Sequence, residues 1–413
     1  DADYRGPYFR ESPGWEEEKY VTLQNDPAGF NNIRLTVESA VSFALATGRT
    51  FVIPPPFKVF HMDNSYFPEY PLETFLSLDK MRASGRVKII TTEEFFEKEA
   101  LTGRLGIEPS EDEKRLDAWF VAKYLAKVGA QYDKGLPDLT PDQAGFIMPR
   151  RMNERVNLDA PEYALANLWL RDRELLEYRG NWTTAKTIHW TYDQSRLLCP
   201  WYSFVLHSDE VAHNYYSRLM RDLLHYPEEV YCKASQVLSL IRAEDPSGRF
   251  SSFHIRRNDF KSDYTTVAIE AGEIYNKSTK YLTEGETLYI ATDEKDKTFF
   301  HVFEERFRVR FLSDYFEKAG VSEIKPECIP LVEQIIASHG RTFTGTWLST
   351  FTAYILRLRG YNGYHKTSTF FLWDPMITIH HTAWLPTTPV WATEFPFGWE
   401  GIDNTGVPDP MAP

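Results

Sequence analysis

The sequence predicts an α/β protein: two doubly wound parallel sheets, one in each half of the chain, facing each other across a cleft. Three observations carry this. The 413 residues suffice for two domains of ordinary size. In the second half, short β-branched and aromatic runs alternate with amphipathic segments, as strands linked by crossover helices do. Near the start, a strand, a glycine turn, a helix and a second strand form one right-handed βαβ unit.

In that unit, residues 19–24 read as a strand and residues 25–32 as a turn rich in structure breakers. From Ile33, the apolar residues Ile33, Val37, Val41, Ala44 and Leu45 recur at helical spacing. Gly48 and Arg49 end the helix, and residues 50–53 form the next strand, stopped by three prolines. A glycine at such a turn lets a ligand reach the helix N-terminus, and serves a plain tight turn equally well.

Residues 86–90 predict another strand, with Thr92 capping the helix after it. Residues 112–128 predict a helix whose core face carries Leu116, Trp119, Phe120 and Tyr124. Residues 135–149, rich in Pro, Asp and Gly, predict a surface connection. A strand at 186–190 is the last of the first domain, and helices at 211–225 and 228–243 join the halves. The expected domains are 1–225 and 226–385, with a Pro- and Trp-rich tail, 386–413, packing back on the surface.

The second half alternates strand 249–255, helix 269–282, strand 287–291, a helix to about 305, and strand 309–312. A helix at 329–338, a strand at 341–344, a turn at 345–351 and a helix to 359 follow.

The net charge of −13 leaves no basic face for a nucleic-acid partner. An anionic ligand must be met by a local arginine cluster. No run of about eighteen apolar residues offers a membrane span. Cys199, Cys232 and Cys328 lack metal-ligand spacing, and one disulfide among them is open. Two sequons, at Asn181 and Asn276, permit a secretory location, and a start at Asp1 suits a trimmed or mature chain. The expected location is the lumen of the endoplasmic reticulum or Golgi, with any anchor in an N-terminal segment outside this chain.

The chemistry concentrates where a strand ends in His254-Ile255-Arg256-Arg257-Asn258-Asp259-Phe260. Guanidinium groups at the carboxyl end of a parallel strand suit a phosphate. The plain alternative is a solvated basic pair. Asp259 reads as the partner that orients an arginine, and His254 as either a nucleotide contact or a hydrogen-bonded strand histidine. Ser349 and Thr350 stand at a strand-to-helix turn, where hydroxyls and backbone N–H groups cradle a phosphate or simply cap the helix. Asp293 follows a strand and accepts from an arginine, a ribose or a base edge, or caps a helix. No metal site is expected, and no G-x-S-x-G, Cys-His pair or Walker lysine occurs.

Three ordered blocks resemble the GDP-fucose protein O-fucosyltransferase family. They are Gly29-Phe30-Asn31-Asn32-Ile33-Arg34, the His254 to Phe260 block, and Phe343-Thr344-Gly345-Thr346-Trp347-Leu348-Ser349-Thr350-Phe351, with Ala291-Thr292-Asp293 as a lesser fourth. The resemblance implies a GT-B-like pair of Rossmann-like domains and inverting, metal-independent transfer from GDP-fucose to a hydroxyl acceptor, Ser or Thr of a protein. It implies that Arg256 grips the β-phosphate and that Ser349 and Thr350 hold phosphate oxygens. His254 then touches the nucleotide, and Asn31 or Asn32 faces sugar and acceptor. The expected donor site comprises Gly29, Phe30, Asn31, Asn32, His254, Arg256, Arg257, Asp259, Asp293, Gly345, Ser349, Thr350 and Phe351; the expected catalytic set is Arg256, Asp26 and Asn32. No cofactor is expected.

Two positions depart from the family pattern. Ala28 stands where one branch has a general-base glutamate, leaving Asp26 as the nearest carboxylate or a base-free route. Arg341 stands where an aspartate tied to base recognition is common. Rival expectations are another nucleotide sugar, a glycan acceptor, or a non-catalytic nucleotide-sugar or glycoprotein-binding module.

Overall fold

The computed structural model describes residues 17–24, 28–60, 68–129, 146–149, 173–176, 184–190, 210–263, 269–347 and 349–372. Two compact units divide between His225 and Tyr226.

In the first unit, β1 (Tyr20–Leu23) is buried at all four positions because strands flank it on both sides. Helix α1 (Phe30–Thr47) starts three residues earlier than the apolar spacing predicts. Gly29 is extended (φ −65°, ψ 152°), and its carbonyl accepts from Asn32 and Ile33, which draws Asn31 and Asn32 into the first turn. Gly48 ends the helix in the left-handed region at φ 66°, where glycine carries no Cβ penalty. The helix is buried on nearly every side, so its Arg34 must pair internally and does so with Glu38 at 2.6 Å.

Strands β2 (Thr50–Val52), β3 (Ile89–Ile90) and β4 (Thr187–Trp190) complete a parallel sheet in the order β3-β2-β1-β4. Thr91, not Thr92, caps the helix after β3, in a reciprocal box with Glu94; Thr92 donates instead to the Ile53 carbonyl. The helix predicted over 112–128 is broken by Leu116 at φ 61° and resumes as α2 (Ala118–Val128). The break rotates the buried face onto Val121, Ala122, Tyr124 and Leu125 and leaves Trp119 62 % exposed, against its expected core place. Residues Phe146–Pro149, expected as loop, pair antiparallel with Arg173–Leu176. Helix α3 (Glu210–Leu223) follows.

The second unit begins with α4 (Glu228–Ala243) and β5 (Phe250–Ile255), a strand buried throughout. Helix α5 (Ala271–Ser278) is shorter than the predicted 269–282 and ends in a 3₁₀ turn. Then come β6 (Thr287–Thr292), β7 (Arg308–Arg310) and α6 (Ile329–Ser338). Strand β8 (Phe343–Thr346) lies two residues later than predicted, and α7 (Thr350–Tyr361) follows it. A further strand, β9 (Thr369–Leu372), closes the sheet. All pairings are parallel, in the order β7-β6-β5-β8-β9. The core beneath carries Phe253, Ile255, Leu288, Ile290, Phe300 and Phe303.

Asp26, Cys199, Asn181 and the tail from residue 386 lie outside the described residues. Cys232 and Cys328 are free thiols. No described helix is long and apolar enough to cross a membrane.

Candidate active site

In the second unit the chain runs outward from β5 through β6 to β7, then returns to β8 on the opposite side. The carboxyl ends of β5 and β8 therefore flank a topological switch point, where open α/β sheets bind ligands. The sequence delivers its charged and hydroxyl residues to this place.

Thr346 joins the two strand ends. Its hydroxyl accepts from the Arg256 N–H at 2.9 Å and donates to the His254 carbonyl at 3.3 Å. Just beyond, the half-buried Arg256 guanidinium is held by two carboxylates. Nε and Nη2 donate to Asp259 Oδ1 at 2.9 and 2.7 Å, and Nε lies 3.1 Å from Asp293 Oδ2. A planar fork clamped on one edge presents its other edge in a fixed direction.

The adjacent Arg257 takes the opposite course. It is buried, donating through Nε to Glu294 at 2.8 Å and through Nη1 to the Ile269 carbonyl at 3.0 Å. Its guanidinium also stacks 3.8 Å above the Phe299 ring. Of the two arginines, Arg256 is the one left partly open at the switch point, whereas the Arg257 guanidinium is committed to Glu294, the Ile269 carbonyl and the Phe299 ring. Burial raises the pKa of Glu294, but hydrogen bonds from Lys261 and Arg257 outweigh it and bring the carboxyl down to about 2.

Asp293 is not a helix cap; Asp296 takes that role toward Thr298. Asp293 organises the arginine loop instead, accepting from the Arg257 N–H at 2.7 Å and the Asn258 N–H at 3.3 Å besides facing Arg256. His254 is buried, 2.7 Å from Thr352 Oγ1 through Nδ1 and stacked on Phe351 at 4.5 Å. Burial, then the Arg256 charge, lowers its pKa to about 3, so the imidazole is neutral. His254 and Phe351 thus fasten α7 to β5.

Gly345 permits that closeness. A Cβ there would stand 2.4 Å from Thr352 Cγ2 and 2.8 Å from the Phe343 ring. The N-terminus of α7 is thereby fixed beside Thr346. Ser349 precedes it in extended conformation (φ −86°, ψ 123°), and its side chain caps no N–H, against the plain-cap alternative. Thr350 opens the helix, half-buried.

Sequence reasoning missed Thr346 and Glu333. Glu333 lies on α6, where one acid in an otherwise apolar helix was the available signal. Tyr289 donates to it at 3.5 Å. Burial raises the Glu333 carboxyl to about 7, with Lys297 and the Tyr289 hydrogen bond opposing and Asp293 reinforcing the rise.

In the first unit, Gly29, Asn31 and Asn32 sit at the start of α1, with Asn31 buried and Asn32 partly so. Phe30, also named among the expected donor contacts, is buried and stacks on Phe75 at 4.5 Å. No cluster of three or more His, Cys, Asp or Glu side chains suited to a metal occurs among the described residues.

The model of the GDP-fucose protein O-fucosyltransferase family matches residues 20–362. The chain belongs to this family. A 130-residue stretch is 31 % identical to GDP-fucose protein O-fucosyltransferase 2 of Drosophila melanogaster, covering 30 % of this chain and 26 % of that one. The match thus spans about a quarter of that relative. Among solved structures, POFUT1 in complex with GDP is similar at 11 % identity and TM-score 0.46, over 86 % of this chain and 98 % of that one. Fucosyltransferase NodZ from Bradyrhizobium is similar at 16 % identity and TM-score 0.41, over 87 % and 99 %.

Within this O-fucosyltransferase-family chain, the two departures have distinct meanings. Ala28 offers only its carbonyl, which accepts from the Phe60 N–H at 3.0 Å. Arg341 lies before β8, at the amino edge of the sheet, bound to Glu286 at 2.7 Å, Ser251 and the Tyr281 carbonyl. It stands a strand's length from the carboxyl edge.

Proposed function

We propose that this chain transfers fucose from GDP-fucose to a Ser or Thr hydroxyl of a protein, with inversion and without a metal. The single observation that carries this reading is Arg256, clamped through Nε and Nη2 by Asp259 and Asp293 at the switch point. Cleaving a glycosyl phosphate sheds negative charge onto the diphosphate. A fixed guanidinium and a helix N-terminus act where that charge develops.

The acceptor oxygen forms the new bond to the fucose carbon as the bond to the β-phosphate oxygen breaks. The electron pair goes to the departing GDP. With Ala28 in place of a carboxylate, the acceptor proton passes to the leaving diphosphate in a strongly dissociative step. Ser349 and Thr350 hold phosphate oxygens. The reading places the protein in the secretory lumen.

The test is radiolabelled transfer and donor hydrolysis with a panel of nucleotide sugars, in EDTA. GDP-fucose is expected to turn over and the others not. Turnover of none of them would leave the binding-module alternative, and strict metal dependence would remove the metal-free step.

A further inference from the structure

The residues that follow β5 are suspended between its two neighbouring strands. On the β6 side, Asp293 accepts from the Arg257 and Asn258 N–H groups at 2.7 and 3.3 Å, and Thr292 donates to the Ile255 carbonyl at 2.6 Å. On the β8 side one group does both. The Thr346 hydroxyl accepts from the Arg256 N–H at 2.9 Å and donates to the His254 carbonyl at 3.3 Å. A hydroxyl carries one donor and two acceptor lone pairs, so a single threonine suffices. Thr346 is 1 % exposed, which shields these bonds from water.

Thr346 also begins the turn that leads to α7. Trp347 and Leu348 alone separate it from Ser349, which keeps the helix start within about 11 Å of it. Trp347 is buried edge-on against Phe371 of β9, with ring centroids 4.5 Å apart. At the far end of the turn, Gln334 of α6 donates through Nε2 to the Phe351 carbonyl at 3.2 Å. The turn is thus fastened at its start, its middle and its end.

This arrangement gives one hydroxyl control of a distance. A diphosphate carries its two phosphoryl groups at a fixed separation. Two anion-holding groups serve it together only if their own separation is fixed as well. The clamped Arg256 guanidinium is one such group, and the start of α7 is the other. A monophosphate occupies one of them at a time and is indifferent to the gap.

We infer that Thr346 is a positioning residue that sets the spacing of Arg256 from the start of α7, and through it the preference of this site for a nucleoside diphosphate over a monophosphate. The inference rests on the reading of Arg256 as the β-phosphate contact.

Calorimetry with GDP and with GMP on the full chain tests it, beside a thermal melt. Thr346→Val keeps the volume and removes both hydrogen bonds. It is expected to weaken GDP roughly tenfold, the worth of one hydrogen bond, and to leave GMP within about twofold. Thr346→Ser restores the hydroxyl and should return the GDP-to-GMP ratio of the parent chain. If Thr346→Val does not fold, Thr346→Cys, of similar size and with a feebler acceptor, is expected to shift the ratio the same way. An unchanged ratio in the folded variant overturns the inference. So does an equal loss of both ligands with a lowered melting temperature, which is what a merely structural threonine gives. The underlying reading fails separately. Arg256→Ala with the ratio intact removes the diphosphate contact and the inference with it, whereas a ratio lost in Arg256→Ala and kept in Thr346→Val sinks the role of Thr346 alone.

Discussion

The carboxyl edges of the two sheets are built from opposite materials. In the second unit the edge is a lattice of charge, in which Arg256, Asp259, Asp293, Arg257, Glu294 and Lys261 hold one another. In the first unit it is an apolar cavity of prolines and aromatic rings. Both edges come from the same strand-turn-helix plan, so the plan does not choose the ligand; the residues placed at the strand ends do. The charged edge is made for an anion, and the apolar one is not.

The sharpest way to break the comparison is Arg256→Ala. Removing a fixed donor at a developing oxyanion is expected to lower transfer about 10²–10³-fold. The melting temperature should move little, since Asp259 and Asp293 are partly solvated. Steady-state kinetics beside a thermal melt checks both, and retained turnover would sink the mechanism. Arg257→Met should invert the pattern. Glu294 loses its buried partner but keeps Lys261, so the cost is about 2–3 kcal/mol of stability, with turnover of the folded fraction largely kept. The same pair sets an acid limb. Because the Glu294 carboxyl is held at about 2, its contribution is fully present above its unfolded pKa of 4.5 and is lost as pH falls toward 2. Urea midpoints across that window should show a shallower acid limb in Arg257→Met.

Gly345→Ala probes how the charged edge is assembled. The new Cβ cannot coexist with Thr352 and Phe343 as placed, and the overpacking is expected to cost about 1–3 kcal/mol. It should also raise the donor KM, because α7 carries Ser349 to the switch point. Unfolding midpoints and donor kinetics on the same samples would show whether the two effects travel together.

The sequence made much of this legible, and the misses have physical causes. Strands buried on both faces, such as β5 and β6, announce themselves by composition, so the parallel second sheet could be read in order. Arg256, Asp259 and Ser349 could be placed at strand ends for the same reason. What periodicity cannot show is which of two adjacent arginines faces inward; that is decided by Glu294 and Phe299, far along the chain. Nor can it show a left-handed Leu116, which shifted the phase of α2 and brought Trp119 to the surface. Asp293 could be read from the sequence as an arginine partner or as a cap, because capping residues and loop-organising carboxylates share one sequence signature; the structure shows the first.

The finest contrast lies between two hydroxyls at helix starts, one in each unit. Thr91 accepts from the Glu94 N–H in a reciprocal box, whereas the Ser349 side chain caps nothing. Thr91→Ala should therefore cost about 1 kcal/mol of stability and leave catalysis unchanged. Ser349→Ala should cost less than that in a thermal melt, since no cap is lost, yet raise the donor KM by about tenfold, the worth of one hydrogen bond to a charged group. Equal stability costs with equal kinetics would mean that Ser349 is only a helix start. Any excess in the donor KM measures how far the second unit has given up a cap in order to hold an anion.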